Sequence, residues 1–387
     1  MEITGSTMVV NNPHKVIHII TGLDVGGAEQ MLKRLLLSDP ESKAHVLIIS
    51  LTGIGTIGKH LEASGYQVHG LEFRRLASLA TNFFALMKLI RANKPATVQT
   101  WMYHADFFGG LAARMAGCHN VIWGIRNTFV PLGSKQTYVL MRLCAMLSYV
   151  VPKKIICVAE TAKNKHIAYG YQSKKMQVIP NGFDFASFDG DKIDKKRIRK
   201  ELGLDDAAFV IGCVGRFHPD KGQDIFVMAV ALLEKIHDKH IHFLLIGRDC
   251  DKKNEELTNR IDSFGLNSSF ILLGERHDIP ECLAAMDVFC MPSRTEGFPN
   301  GLGEAMAMGL ACVATHVGDT KLLTGDAAII VPADDAMALA AGLTKVICMP
   351  EIERKALGQQ AAARVREQFS IDNARERFYT VYQELTE

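Results

Sequence analysis

The most informative absences in this 387-residue sequence concern cysteine pairing, targeting segments and long apolar runs. The nine cysteines are scattered, with no Cys-x-x-Cys pair and no His/Cys cluster at zinc spacing, which argues against a disulfide scaffold or a structural zinc site. The longest apolar run, 138–151, contains an arginine and is too short to span a bilayer. Residues 1–13 lack the apolar core of a signal peptide. We therefore expect a cytoplasmic protein, either soluble or peripheral to the inner membrane.

Charge is nearly balanced overall but divided between the two halves of the chain. The net charge of +2 is the difference between +10 over residues 1–185 and −8 over residues 186–387. A basic first half suggests an anionic surface or substrate on that side, although solvated helix faces would produce the same charge. The basic residues are not interleaved with exposed aromatic residues, so we do not expect a nucleic-acid partner.

Hydrophobic periodicity predicts two α/β domains, and 48% hydrophobic residues supply enough apolar surface for two cores. Apolar spacing near 3.6 predicts helices at 28–37, 78–91, 105–116, 135–148, 350–368 and 372–385. Strands are predicted at 16–20, 46–50, 68–71, 97–101, 121–125, 155–158, 209–214, 242–246, 270–273, 288–291, 311–314 and 328–331. This alternation indicates two doubly wound Rossmann-like domains, 1–185 and 186–369, each with a parallel sheet. Residues 370–387 form a last helix that has no strand after it and is expected to cross back to the first domain.

The segment from Glu296 to Glu304 places two carboxylates eight residues apart, around a loop that becomes a helix. It follows a predicted strand, so it lies where open α/β sheets bind their ligands. Glycines in the loop allow close approach of a ligand, and the first helix amides lack intrahelical partners and favour an anion. Carboxylates on either side of a bound phosphate are suited to the hydroxyl groups of a sugar nucleotide.

A second loop, Gly215 to Gly222, carries Arg216 and Lys221 between a predicted strand and a helix. A planar cation and a flexible ammonium five residues apart are able to hold a diphosphate from two sides and to neutralise a departing nucleoside diphosphate. An exposed loop with ordinary solvated charges remains the alternative interpretation.

Two further segments follow predicted strands in the first half. Gly26 and Gly27 would let helix-start amides approach a phosphate or an acceptor hydroxyl, although a purely structural turn is equally compatible. The pattern is not a full Gly-x-Gly-x-x-Gly, so a nicotinamide site is poorly supported. His104 is placed at the carboxyl edge of the first sheet, where it is either a satisfied structural group or a residue facing the cleft.

Two other kinds of pattern bear on metal binding and membrane binding. Asp-x-Asp pairs occur at 189–191, in a polar linker, and at 249–251, beside two lysines, and neither favours a metal site. The stretches 83–91 and 138–154 combine bulky apolar residues with nearby basic residues, as in helices that lie in a bilayer interface. Buried core helices would have the same composition. The nearby basic residues are Arg74, Arg75, Lys88, Arg91, Arg142, Lys153 and Lys154.

Taken together, these motifs resemble those of the family 4 retaining glycosyltransferases of GT-B architecture, from about Val16 to the C-terminus. The Glu-x7-Glu segment, the Arg216/Lys221 pair, the Gly26-Gly27 turn and Pro180-Asn181-Gly182-Phe183-Asp184 occur in the family's order. The resemblance implies an acceptor-binding first domain and a nucleotide-sugar-binding second domain that face a cleft. Gly318-Asp319-Thr320 departs from the Gly-Gly-x-Pro-Glu of many relatives, and no role is assigned to it.

The resemblance also implies roles for individual residues. Glu304 would bind the ribose hydroxyls, and Glu296 with the amides of Gly297 and Phe298 would bind the donor sugar. The diphosphate would be held by Arg216, Lys221 and the amides of Asn300, Gly301 and Leu302. His104 would lie near the anomeric carbon, Arg276 would stack on the base, and Gly26 and Gly27 would approach the donor. No resident metal or other cofactor is implied.

We expect the sugar to be transferred with retention by front-side attack, because no carboxylate is clearly placed as a nucleophile on the opposite face. UDP-hexose or UDP-N-acetylhexosamine is the expected donor, and a polyprenyl-diphosphate-linked saccharide for surface polysaccharide is the expected acceptor. A GDP-mannose-type donor and a small soluble acceptor remain alternatives. A pyridoxal-phosphate-dependent phosphorylase of similar architecture and a non-catalytic sugar-nucleotide-binding module are the competing classes.

Overall fold

The computed structural model describes residues 15–73, 78–128, 134–186, 188, 193–233 and 241–387. The first half forms a seven-stranded parallel sheet in the order β3-β2-β1-β4-β5-β6-β7. Its strands β1 to β7 are Val16–Ile20, Val46–Ser50, Gln67–Gly70, Thr97–Trp101, Val121–Ile125, Lys154–Cys157 and Met176–Val178. Strands β1, β2, β4 and β5 are buried along their whole length, because helices cover both faces of the sheet.

The second half forms a six-stranded parallel sheet in the order β10-β9-β8-β11-β12-β13. Its strands β8 to β13 are Phe209–Val214, Ile241–Ile246, Phe270–Gly274, Val288–Met291, Ala311–Thr315 and Ile329–Val331. In both sheets the strand order reverses once, between β1 and β4 and between β8 and β11. These reversals are the topological switch points, where open α/β sheets bind ligands beyond the carboxyl ends of their strands.

Fifteen α-helices lie in the described part of the chain. Helices α1 to α6 are Gly27–Leu37, Gly55–Ala63, Leu79–Asn93, Gly110–Met115, Lys135–Leu147 and Glu160–Ala168. Helices α7 to α13 are Lys195–Glu201, Gln223–Ala231, Glu255–Ser263, Ile279–Ala284, Asn300–Ala307, Thr320–Thr324 and Ala336–Cys348. Helices α14 and α15 are Glu351–Gln368 and Ile371–Thr386.

Helix α15 crosses back to the first half, as the sequence predicts. Phe378 stacks on Trp101 of β4 with ring centroids 5.8 Å apart, and the Tyr382 hydroxyl donates to Gln99 Oε1 at 3.1 Å. All four side chains are buried. The fold is therefore the expected GT-B arrangement of two Rossmann-like sheets with a C-terminal helix that returns to the first sheet.

Candidate active site

The two loops at the switch point of the second sheet bring the predicted cations and the first carboxylate together. Arg216 and Lys221 follow β8, and Glu296 follows the neighbouring strand β11. Lys221 Nζ lies 2.6 Å from Glu296 Oε1, and the Ser293 hydroxyl donates to the same oxygen at 2.7 Å. Glu296 is thus held in place through one oxygen, while the Arg216 side chain is exposed.

Helix α11 begins directly after this loop. Its first intrahelical hydrogen bond runs from the Gly303 amide to the Pro299 carbonyl at 3.1 Å. The amides of residues 300–302 therefore come before the series of intrahelical hydrogen bonds. Phe298 and Leu302 bury their side chains in the core. Gly303 packs directly on the ring of Phe183, where a β-carbon would collide. The helix start therefore has three amides without an intrahelical acceptor, at the positions Asn300, Gly301 and Leu302 that the sequence analysis assigns to an anion.

The glycine turn of the first half meets this helix start. Gly26 is the N-cap of α1 and, as a glycine, provides no capping side chain, while the Glu29 carboxylate of the first turn folds back so closely that a β-carbon on Gly26 would collide with it. A β-carbon added to Gly27 would lie 3.3 Å from Asn300 Nδ2. Two helix N-termini, each carrying partial positive charge, thus converge from opposite halves of the molecule. Such an arrangement favours a multiply charged anion between them.

His104 lies at the switch point of the first sheet, just after β4. Met102 has φ of 73°, a left-handed conformation that non-glycine residues rarely adopt, and its amide donates to the Gly124 carbonyl at 2.8 Å. A π-helical turn, Ala105–Gly109, follows. His104 itself is exposed, and partial desolvation lowers its pKa. An unusual backbone conformation thus presents this imidazole at the carboxyl edge of the sheet.

The second carboxylate, Glu304, makes a contact that the sequence did not reveal. Arg34 of α1 forms an ion pair with Glu304 Oε1, and the Arg34 guanidinium lies 5.6 Å from the ring centroid of Phe183. Arg276 is exposed and forms a two-point pair with Asp278, with Nε 2.8 Å from Oδ1. This pair uses the edge of the guanidinium and leaves its face for the predicted stacking on a base.

Asp319 is a structural residue that sequence reasoning left without a role. Its carboxylate accepts from the amides of Glu160 and Thr161 at 2.7 and 3.1 Å and from the Thr161 hydroxyl at 2.7 Å. It therefore caps helix α6 of the opposite half. The Asp319 amide also donates to the Gly297 carbonyl at 3.0 Å, so the segment braces the loop that carries Glu296.

The Asp-x-Asp pattern at 249–251 does not form a metal cluster in the described structure. Asp251 Oδ1 accepts from the Lys253 amide at 2.8 Å, and the Asp249 carbonyl accepts from Asn254 Nδ2 at 2.7 Å, so both residues support a turn. Within the described ranges, no three His, Cys, Asp or Glu side chains gather as metal ligands. Asp189 and Asp191, like Arg74 and Arg75, lie outside these ranges.

Comparison with known proteins places the chain in a family. Residues 25–187 match the family described as Glycosyltransferase Family 4, and residues 208–348 match the family described as Glycosyl transferases group 1. These two segments carry the glycine turn, the cation pair and the Glu-x7-Glu segment. The chain belongs to the family 4 glycosyltransferases and has the GT-B architecture.

Two curated relatives are similar to parts of the chain. One is the Escherichia coli UDP-Gal:alpha-D-GlcNAc-diphosphoundecaprenol alpha-1,3-galactosyltransferase, 29% identical over 62% of this chain and 63% of its own length. The other is the lipopolysaccharide core biosynthesis mannosyltransferase LpsB of Rhizobium meliloti, 34% identical over 54% of this chain and 60% of its own length. The matched segments thus span about three fifths of these relatives.

A solved structure extends the likeness in fold to nearly the whole chain. The crystal structure of Anabaena Alr3699/HepE in complex with UDP and glucose superposes with a TM-score of 0.85 and 21% identity, covering 96% of this chain and 100% of that one. At this low sequence identity, the superposition shows a shared fold and nothing further.

Proposed function

We propose that this protein is a retaining glycosyltransferase that moves a hexose or N-acetylhexosamine from a UDP-sugar to an acceptor hydroxyl. The main support is the proximity of Gly27 and Asn300. It brings together two helix N-termini from opposite halves, whose backbone amides are able to bind a diphosphate. The Lys221/Glu296 pair lies at the same switch point. The UDP and glucose bound by the Anabaena protein, which shares this fold, support the choice of donor.

Glu296 is assigned to the donor sugar and Glu304 to the ribose. Lys221 and Ser293 both contact Glu296 Oε1, which leaves Oε2 for sugar hydroxyls. A carboxylate that is paired with an ammonium and accepts a second hydrogen bond is a poor nucleophile. We therefore favour front-side attack, in which the departing phosphate takes the acceptor's proton while Arg216 and Lys221 stabilise its charge. Catalysis in this scheme depends on positioning and electrostatics and needs no metal.

The acceptor is proposed to be a polyprenyl-diphosphate-linked saccharide of surface polysaccharide synthesis. The name of the Escherichia coli relative specifies a diphosphoundecaprenol acceptor, and the Rhizobium relative is named for lipopolysaccharide core synthesis. No helix in the described ranges is long and apolar enough to cross a bilayer. To reach a lipid-linked acceptor, the protein has to contact the membrane surface.

The first half offers a surface for such contact, which we call the interface patch. It consists of large apolar side chains on α5 and the following loop that are 40–72% exposed: Tyr138, Val139, Leu143, Met146, Tyr149 and Val150. No Asp or Glu occurs between Asp106 and Glu160, a stretch that contains six Lys/Arg. Exposed apolar residues in a stretch of sequence that has basic but no acidic residues match the interface of an anionic bilayer.

A GDP-mannose-type donor is the second candidate. The Rhizobium relative is a mannosyltransferase, and a Corynebacterium glutamicum relative, 30% identical over 53% of this chain, is named as GDP-mannose-dependent. Arg276, the residue expected to lie beside the base, is paired with Asp278. Its contacts favour neither uracil nor guanine.

The proposed reaction is tested by incubating the protein with UDP-hexoses, UDP-N-acetylhexosamines and GDP-mannose, each with a polyprenyl-diphosphate-linked sugar in vesicles. We expect one UDP-sugar to be consumed and the product's anomeric proton, read by NMR, to show the donor's α configuration. An inverted product would refute the retaining mechanism. Tight nucleotide binding without any product would instead identify a non-catalytic binding module, and a Schiff-base absorbance band would identify a phosphorylase.

A further inference from the structure

Arg126, at the carboxyl end of β5, has two buried donors that the described structure leaves unused. Its Nε and Nη1 atoms are inaccessible to solvent and make no hydrogen bond to any described residue. Its Nη2 donates to Asn181 Oδ1, and the guanidinium lies 5.2 Å from the ring centroid of Trp101. Desolvation lowers the pKa of Arg126 to about 10, so the side chain is still a cation near neutral pH.

The position of Arg126 connects it to the donor cradle. Asn181, its one hydrogen-bond partner in the described ranges, donates through Nδ2 to Asn300 Oδ1 at 2.7 Å. Asn300 is the first residue of α11, where the amides for the diphosphate begin. Two residues after Arg126, the buried Thr128 hydroxyl also has no partner among the described residues, and a β-carbon on Gly297 would lie 2.8 Å from it. The unused donors of the first half therefore adjoin the segment 297–300 of the second half.

A purely structural role explains only part of this arrangement. Stacking on Trp101 and bonding to Asn181 uses one of the five N–H groups of the guanidinium. Buried polar groups in native proteins are nearly always paired, and a desolvated cation without a counterion is costly. The planar guanidinium fork matches phosphate and carboxylate oxygens at two points. The missing partner is thus expected to be an acidic oxygen supplied by a ligand.

We propose that Arg126 is a third cation of the donor site and binds an acidic oxygen of the nucleotide sugar. This inference rests on the proposed function. Two sources of that oxygen are chemically equivalent for a guanidinium: the diphosphate that every such donor carries, and a carboxylate on the sugar of a uronic-acid donor. The link through Asn181 to Asn300 favours the diphosphate.

Calorimetric titrations of Arg126→Gln, Arg126→Lys and the wild-type protein test the inference. We expect Arg126→Gln to weaken UDP binding at least tenfold and to keep uridine affinity within twofold of the wild-type value. Arg126→Lys should have a UDP affinity between those of Arg126→Gln and the wild type. Arg197→Gln is the matched control, because Arg197 is 58% exposed on α7 and its loss removes the same charge elsewhere. Comparing UDP-glucose with UDP-glucuronate separates the two sources, since a loss confined to UDP-glucuronate assigns Arg126 to the sugar carboxylate.

The inference is overturned if Arg126→Gln binds UDP and UDP-glucuronate within twofold of the wild-type affinities. A wild-type protein that binds no nucleoside diphosphate would refute the proposed function itself, and the inference with it. If Arg126→Gln does not fold, as judged by circular dichroism, Arg126→Lys decides. UDP affinity of Arg126→Lys equal to the wild-type value, with UDP-glucuronate affinity also unchanged, would then count against a two-point guanidinium contact.

Discussion

Arg34 of α1 and Glu304 of α11 form an ion pair that joins the two halves of the molecule across the candidate active site. Both side chains are mostly buried, with 15% and 14% exposed. Arg34 contacts Oε1 alone, and a carboxylate has further acceptor sites for the two ribose hydroxyls. The pair is thus compatible with the role proposed for Glu304, and it provides a way to separate that role from a structural one.

We predict that Glu304→Gln weakens UDP binding about tenfold and leaves inorganic diphosphate binding unchanged, because only the ribose contacts are lost. Arg34→Gln breaks the same ion pair and is expected to keep UDP affinity within about threefold. Isothermal titration calorimetry measures both. Equal losses in the two variants would mean that Glu304 acts only by holding the halves together.

Lys221→Gln is predicted to lower kcat by about 10² to 10³, because it removes a cation that stabilises the departing diphosphate. Release of UDP from the donor in the presence of acceptor is the assay, and EDTA is expected to have no effect on the wild-type rate. Lys355→Gln, at a 71% exposed position, is the matched control. A full rate for Lys221→Gln, or loss of the wild-type rate in EDTA, would contradict the charge-stabilisation scheme.

Asp319→Ala is predicted to lower the free energy of unfolding by about 2 kcal/mol, because it removes the cap of α6 and leaves the amides of Glu160 and Thr161 without their acceptor. Urea denaturation followed by circular dichroism measures the change. Asp326→Ala, at a 91% exposed position, should leave the unfolding curve close to that of the wild type. Indistinguishable curves for these two variants would show that the contact between the halves adds little stability.

Asp106 is predicted to make stability fall as pH rises. Its burial raises the pKa from 3.8 to about 8, so between these values the folded protein keeps a proton that the unfolded chain releases. Asp106 therefore contributes stability that is complete below pH 3.8 and lost as pH approaches 8. Asp106→Asn removes this dependence. Between pH 6 and 8, the free energy of unfolding should decline by about 2 kcal/mol more in the wild type than in Asp106→Asn.

The pH profiles are compared as a difference because other buried groups also titrate. His18 and His166 have pKa values lowered to about 3 and about 4 by desolvation, and both stay neutral in the folded protein above pH 6. Their contributions are the same in both proteins and cancel in the difference. Parallel profiles from pH 6 to 8 would show that Asp106 is ionised in the folded state.

The interface patch is predicted to bind anionic vesicles. Met146→Asp with Val150→Asp should reduce sedimentation with vesicles that contain anionic lipid at least fivefold, since the change places negative charge at the bilayer surface. Met337→Asp, at a 76% exposed position in the second half, is the control and should bind as the wild type does. Equal sedimentation of the double variant and the control would exclude the patch as a membrane contact.

Much of the fold follows from local periodicity. Strands such as β2 and β11 were predicted at their observed bounds, because fully buried parallel strands appear as short β-branched or apolar runs. Strand β7, with three residues Met176–Val178, was not predicted, since so short a run has no readable period. The three free amides of α11 were also predictable, because Pro299 and the glycines mark the helix start.

The contacts between the halves were not predictable from one sequence. Asp319 caps a helix 159 residues earlier, and Arg34 pairs with a glutamate 270 residues later, so no local pattern reveals either partner. Arg126 follows a strand as an isolated basic residue and looks like an ordinary solvated charge. Only the fold shows that two of its nitrogens are buried without a partner in the part of the chain that the structure describes.

Calorimetric titration of the wild-type protein with UDP, GDP and ADP shows whether the two halves form a nucleotide-sugar site. We expect one UDP per chain, bound at least tenfold more tightly than GDP or ADP, with the affinity unchanged by EDTA. Preference for GDP would transfer the assignment to a GDP-sugar donor. If none of the three nucleotides binds, the two halves do not form a nucleotide-sugar site.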